Sequence, residues 1–265
     1  MCRGARVFSL DITSGSVDGI VFGKGEKTLV MLPGLRLSDI KGGAKAAAWY
    51  YRMFAREYTV YMLDRKHPVQ AGCTIHDLAE DTAEAIEKLG LREVYLFGAS
   101  QGGMIAQDLA IHHPDLVKKL VLAVTLSRVN DTVKGVIEQW LTLAEEQGLS
   151  AVAADYLQKG YSERYIRRYG RLLPLAVRWQ RTMPVERFRI LAKAALTCDT
   201  YDELDRIRCP VLVLGGGQDR VVTGAASREM AEKLRCPCHI YDELGHEAYN
   251  EAKDFNRRVY DFFGA

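Results

Sequence analysis

No apolar run in this 265-residue chain approaches the ~20 residues that a membrane-spanning helix needs. The first dozen residues, MCRGARVFSLDI, lack the apolar stretch of an export signal. A soluble, cytoplasmic protein is therefore expected. An excess of one charge is missing too. Lys and Arg number 36 against 34 Asp and Glu, and the net charge is +2. That gives no electrostatic reason to expect nucleic acid as a partner. Cysteines are few and scattered: Cys2, Cys73, Cys198, Cys209, Cys236 and Cys238. They read as reduced thiols rather than a disulfide framework. The one close pair, Cys236-Pro237-Cys238, is a C-x-C with no second ligand pair nearby, so it reads as small apolar residues leading into a strand. Repeats and low-complexity segments are absent as well.

What is present is an alternation of strand-like and helix-like runs. ARVFSL and SVDGIVFG read as a hairpin, followed by TLVMLPG as a third strand. The stretch from Gly43 to Glu57 reads as a helix, and YTVYML (58–63) as the next strand. Thr74-Ile75-His76-Asp77 has the form of a capping box with Asp in the usual Glu place. Beyond it, Leu78, Thr82, Ala85, Ile86 and Leu89 share one helical face, and Gly90 ends the helix. EVYLFGAS (93–100) is a strand running into a glycine turn, Gln101 to His113 a helix, and KLVLAV (119–124) a buried strand. This order predicts an α/β fold with a mostly parallel, doubly wound sheet.

The alternation stops between residues 127 and 207, where four helices are expected: 131–147, 149–159, 162–171 and about 184–196. It resumes with PVLVLGGG (210–217), a helix over 224–235, CHIYDEL (238–244) and a last helix over 252–263. The domain reading is thus a core of residues 1–126 and 208–265, interrupted by a helical cap or lid over 127–207.

Gly98-Ala99-Ser100-Gln101-Gly102 lies where that strand meets that helix. A G-x-S-x-G pattern there suits a nucleophile elbow. The turn is sharp, and any side chain at Gly98 or Gly102 would collide with neighbouring backbone. The turn also aims the Gln101 N–H at the site of a developing oxyanion. A serine hydroxyl needs a base, and six histidines are available. His112 and His113 stand a helix length away from Ser100. His67 and His76 belong in or near the loop after the fourth strand, and His239 lies inside a strand. His246, in Leu244-Gly245-His246-Glu247, follows the last strand and so shares the sheet edge with the elbow. It is the candidate base. Asp219, just past the strand VLVLGGG, is the candidate for orienting it. Asp242 and Glu243 are rivals too close in sequence to His246, and Asp205 belongs to the return from the helical block.

The chain order Ser100, Asp219, His246, with LPG after the third strand, GASQGG, LVLGGGQD and ELGHEAY, resembles the α/β-hydrolase superfamily and its capped, esterase-like members. The resemblance spans nearly the whole chain. It implies an eight-stranded sheet with a lid after the sixth strand. It also implies a second oxyanion donor, the backbone N–H of Leu35, in a loop where this chain has Pro33-Gly34 and many relatives have His-Gly. The expected activity is hydrolysis of an ester or related acyl compound through an acyl-enzyme, with no metal or organic cofactor. Serine at the elbow speaks against relatives that use aspartate there, such as haloalkane dehalogenases and epoxide hydrolases. Carbon–carbon bond hydrolysis, acyl transfer and peracid formation stay open, as does a ligand sensor of the same fold.

The stretch 161–190 holds Arg164, Arg167, Arg168, Arg171, Arg178, Arg181, Arg187 and Arg189 against only Glu163 and Glu186. Two readings stand: a solvated helix face, or one or two arginines turned into the cleft to bind an anionic acyl substrate. Tyr161, Tyr165, Tyr169, Trp179 and Phe188 either line an acyl pocket or pack the lid onto the core.

Overall fold

A computed structural model describes residues 4–170 and 182–264. Eight strands form one sheet: β1 (Arg6–Ile12), β2 (Gly15–Gly23), β3 (Lys27–Leu32), β4 (Tyr58–Leu63), β5 (Val94–Ala99), β6 (Val117–Ala123), β7 (Val211–Gly216) and β8 (Cys238–Tyr241). Their spatial order is β1-β2-β4-β3-β5-β6-β7-β8. β1 and β2 form the expected hairpin, and β2 runs antiparallel to β4. Every other pairing is parallel. β5 and β7 are buried at all six positions, as strands covered on both faces must be.

Helices cover both faces. α1 (Ala44–Tyr50) follows β3, and α2 (Ile75–Lys88) follows β4. The capping box of α2 forms as expected: Thr74 accepts from the Asp77 N–H, and the Asp77 carboxylate accepts from the Thr74 N–H. α3 (Gln101–His112) follows β5 and is buried from Gln101 through Ile111. After the helical block come α8 (Gly224–Leu234), α9 (Ala248–Glu251) and α10 (Phe255–Gly264). α10 lays Phe255, Val259 and Phe263 into the face it covers, a four-residue repeat that stacks three side chains in a row. Each is at most 1% exposed, so each contributes about 1.5–3 kcal/mol of apolar burial.

Between β6 and β7 lie α4 (Asp131–Glu146), α5 (Leu149–Gly160), α6 (Glu163–Tyr169) and α7 (Val185–Ala195). No strand interrupts them among the described residues. Arg171, Arg178, Trp179 and Arg181 lie outside the described residues.

Three boundaries differ from the sequence reading. The helix expected over 43–57 ends at Tyr50 and continues as turns to a 3-10 turn at Phe54–Arg56. β8 stops at Tyr241, and the chain turns where the Leu244 N–H donates to the Tyr241 carbonyl. The last helix runs Phe255–Gly264 rather than 252–263, and a short helix outside that expected range, Ala248–Glu251, precedes it.

Candidate active site

Ser100 joins β5 to α3 with φ 51° and ψ −122°. A non-glycine residue there stores about 1–3 kcal/mol of backbone strain. Its surroundings hold it in place. The Ser100 N–H donates to the Ala123 carbonyl at 2.9 Å. Its own carbonyl accepts from the Thr125 hydroxyl at 2.7 Å and the Gly103 N–H at 2.8 Å. The glycines follow from close approach. A Cβ on Gly98 would stand 2.4 Å from the Gly102 carbonyl oxygen, and one on Gly102 would stand 2.0 Å from that of Leu32. Both neighbours are backbone and cannot step aside.

The loop after β3 rests against the elbow. A Cβ on Gly34 would lie 3.2 Å from Ser100 Cβ and 3.7 Å from its Oγ. Leu35 therefore begins next to the serine. Arg65, just past β4, clamps this arrangement. Its guanidinium donates to the Pro33 carbonyl at 2.6 Å and to Gln101 Oε1 at 3.2 Å. One side chain thus ties the Leu35 loop to the residue after the serine. Arg65 is buried, and burial pulls its guanidinium down to about 10. Nothing about Asp64-Arg65-Lys66, a short charged run after an apolar strand, singled it out in the sequence.

His246 and Asp219 meet at the same edge. His246 Nδ1 lies 2.8 Å from Asp219 Oδ2, with the two side chains 2% and 1% exposed. The other carboxylate oxygen, Oδ1, accepts from the Val221 and Val222 N–H groups at 2.7 and 2.9 Å. Burial alone would raise the Asp219 carboxyl. His246 and those two N–H groups outweigh it and hold the group below its ordinary value. The ionised Asp219 then fixes the proton on Nδ1 and leaves Nε2 for a partner. The close approach of two chain turns makes room for this pair: a Cβ on Gly216 would meet the Gly245 carbonyl oxygen at 2.1 Å. The rival acids stand elsewhere. Asp242 is exposed and paired with Arg228 at 3.2 Å, Glu243 is exposed, and Asp205 sits in a 3-10 turn at the surface.

Two segments of the helical block are joined to this edge. In α7, the Leu191 carbonyl accepts from Gln101 Nε2 at 2.5 Å, and Arg187 donates to the Arg65 and Lys66 carbonyls at 2.8 and 2.6 Å. At the end of α5, the Gly160 carbonyl accepts from the Glu247 N–H at 2.8 Å. Tyr156 of α5 sets its ring edge-on to His246, centroids 6.3 Å apart, and donates its hydroxyl to Glu247. Glu247 also accepts from the Tyr249 hydroxyl at 2.8 Å and from the Asn250 amide. Burial pushes its carboxyl up to about 7, against the pull of those donors.

The arginines of the block divide. Arg187 is buried on backbone carbonyls, and Arg189 pairs with Glu145 and Glu186. Arg164, Arg167 and Arg168 are exposed on α6. Phe188 is fully buried, so it packs the block onto the core rather than lining a pocket. Tyr161 and Tyr165 stack on each other at 4.5 Å, and Tyr169 is exposed.

Residues 44–253 match the family described as serine aminopeptidase, S33. The chain belongs to this family of α/β-hydrolases. It is a hydrolase, and its eight-stranded, mostly parallel sheet is the fold of that superfamily. A protein named for carbamate hydrolysis, RutD of Caulobacter sp. strain K31, is 29% identical over 239 residues, covering 83% of this chain and 86% of its own. The 3-oxoadipate enol-lactonase 2 of Acinetobacter baylyi is 26% identical over 163 residues, covering 60% and 59%. Among solved structures, the enol-lactonase of Burkholderia xenovorans LB400 superposes with a TM-score of 0.83 at 21% identity, over 97% of this chain and 100% of that one. The last likeness is one of fold.

Proposed function

We propose that this hydrolase cleaves a carboxylic ester or related acyl bond of a small molecule through a serine acyl-enzyme, with Ser100, His246 and Asp219 as its triad. The observation that carries the reading is the buried, charge-assisted Asp219–His246 pair on the sheet edge where the strained elbow presents Ser100.

In this mechanism Ser100 Oγ attacks the carbonyl carbon while His246 Nε2 takes its proton. The carbonyl oxygen becomes an oxyanion and receives the N–H groups of Gln101 and Leu35. Arg65 keeps those two donors in register, because it holds Pro33 and Gln101 at once. His246 then protonates the leaving group, and the acyl-enzyme forms. Water, deprotonated by His246, attacks the acyl carbon and releases the acid. Asp219 stays ionised throughout and balances the imidazolium of each proton transfer. The block over 127–207 is the cap of this site, pinned through Gln101–Leu191 at one end and Gly160–Glu247 at the other. Its described arginines give an anionic substrate no specific support, since Arg187 and Arg189 are committed to protein partners and Arg164, Arg167 and Arg168 are exposed on α6.

The test is a panel of short-chain p-nitrophenyl esters, an enol-lactone and a carbamate, offered to the wild type and to Ser100→Ala. Turnover in the wild type that disappears in the variant supports the proposal. Undiminished turnover in Ser100→Ala, or a folded wild type inert towards every acyl substrate, refutes it.

A further inference from the structure

The end of α3 remote from Ser100 carries a second cluster of reactive side chains. Asp108 and His112 sit one turn apart on α3, and His76 is the second residue of α2. His76 Nδ1 lies 2.9 Å from Asp108 Oδ1, and His112 Nδ1 lies 3.2 Å from the same oxygen. The two imidazoles meet edge to face with centroids 4.7 Å apart. One ligand atom from each of the three residues lies within 4.8 Å of the other two. Asp108 is buried, while both histidines reach the surface.

We propose that His76, Asp108 and His112 form a binding site for one divalent transition-metal ion. The spacing is the first argument. Metal–donor bonds near 2.0–2.1 Å place neighbouring donor atoms about 3.0–3.4 Å apart. Both imidazole nitrogens already stand near that separation from the carboxylate oxygen, at 2.9 and 3.2 Å, with the His112 nitrogen turned also to the Asp108 backbone carbonyl at 3.0 Å. Closing the remaining gap between the two rings needs only rotation of exposed side chains.

The donor set is the second argument. Two imidazoles and one carboxylate suit zinc, cobalt or nickel, and suit calcium or magnesium poorly. The surroundings are the third. The three residues line a cleft of about 340 Å³ that also receives Asp199 and Glu203 and, among the described residues, no lysine or arginine. Those carboxylates lower the cost of a double positive charge and leave room for water in the open coordination positions. The cleft is also braced: the Ile75 N–H donates to Thr197 Oγ1 at 2.9 Å, which fixes the start of α2 against the segment after α7.

The site has no part in the acyl chemistry. α3 is twelve residues long, about 18 Å, and Ser100 precedes its other end. A bound ion clips the start of α2 to the end of α3, so its effect is on stability.

The experiment uses the tag-free, full-length protein stripped of metal and kept reduced. Cobalt(II) is titrated by calorimetry and by absorption. The wild type is expected to bind one ion per chain with weak d–d bands and no thiolate-to-cobalt band. His76→Ala and His112→Ala are expected to bind at least about tenfold more weakly. The metal should raise the melting temperature of the wild type and not that of the variants. Ester hydrolysis should be unchanged in both. His76 is the safer test, because its side chain is 52% exposed and its removal spares the fold. Three results overturn the proposal: no binding by the wild type, equal affinity in His76→Ala, or a thiolate band that assigns the ion to cysteine.

Discussion

Glu247 is the buried acid whose replacement reports most directly on the contact of α5 with the segment beside His246. It is 3% exposed, and burial carries its carboxyl from 4.5 to about 7. An acid with a raised folded-state pKa favours the fold while protonated. Its contribution is fully present below pH 4.5, fades as pH rises, and levels off above pH 7. The cost of ionising it in place is about 0.8 kcal/mol at pH 5 and about 3 kcal/mol at pH 8, from the two pKa values and 1.36 kcal/mol per unit. Glu247→Gln keeps the shape and removes the charge. With its oxygen turned to the Asn250 amide it still accepts there, and its NH2 then donates to the Tyr156 and Tyr249 hydroxyl oxygens. Urea denaturation of both proteins at pH 5 and pH 8 isolates the effect, because every other titrating group cancels in the difference. The variant should gain on the wild type by roughly 2–3 kcal/mol between the two pH values. A difference that is flat with pH, or that favours the wild type at pH 8, would refute a Glu247 that ionises at a cost within the fold.

Other substitutions probe the remaining contacts. Asp219→Asn should lower kcat for ester hydrolysis about 10³–10⁴-fold with little change in KM, because the amide favours the wrong imidazole tautomer; a loss below tenfold in steady-state kinetics contradicts its role. Gly102→Ala should cost at least about 3 kcal/mol or prevent folding, since its Cβ falls 2.0 Å from a backbone oxygen. Gly135→Ala in α4, with nothing within 4 Å of the added Cβ, should instead raise stability by about 0.5–1 kcal/mol in the same denaturation assay. Arg187→Met strands the buried Arg65 carbonyl and the half-buried Lys66 carbonyl and should destabilise by about 1–3 kcal/mol, while the ratio of kcat/KM for anionic and neutral esters stays unchanged.

The sheet was readable from sequence because most of its strands are short apolar runs, β3, β5 and β7 ending in glycine turns, and because parallel strands leave their loops on one edge. That logic brings Ser100, Asp219 and His246 together as an expectation, from positions 119 and 27 residues apart, and His246 Nδ1 stands 2.8 Å from Asp219 Oδ2. Where partners come from distant segments, the sequence was silent. Arg65 owes its importance to Pro33 and Gln101, on two other loops. Tyr156 meets Glu247 across 91 residues. His76 and Asp108 stand 32 residues apart, with no ligand spacing to mark them. The arginine-rich stretch looked like one feature, yet Arg187 is buried and Arg164 exposed, a division set by which side of each helix meets the core. The short β8 escaped because CHIYDEL keeps a strand-like pattern past Tyr241, while the turn there is fixed by a backbone bond to Leu244.

The central claim is that Ser100 is an activated nucleophile. Its most direct test is a fluorophosphonate reaction followed by peptide mass mapping of the folded protein. A single adduct on Ser100 is expected, formed in the wild type, absent from Ser100→Ala and strongly slowed in His246→Ala. An adduct on another residue, or a folded wild type that takes none, would contradict it.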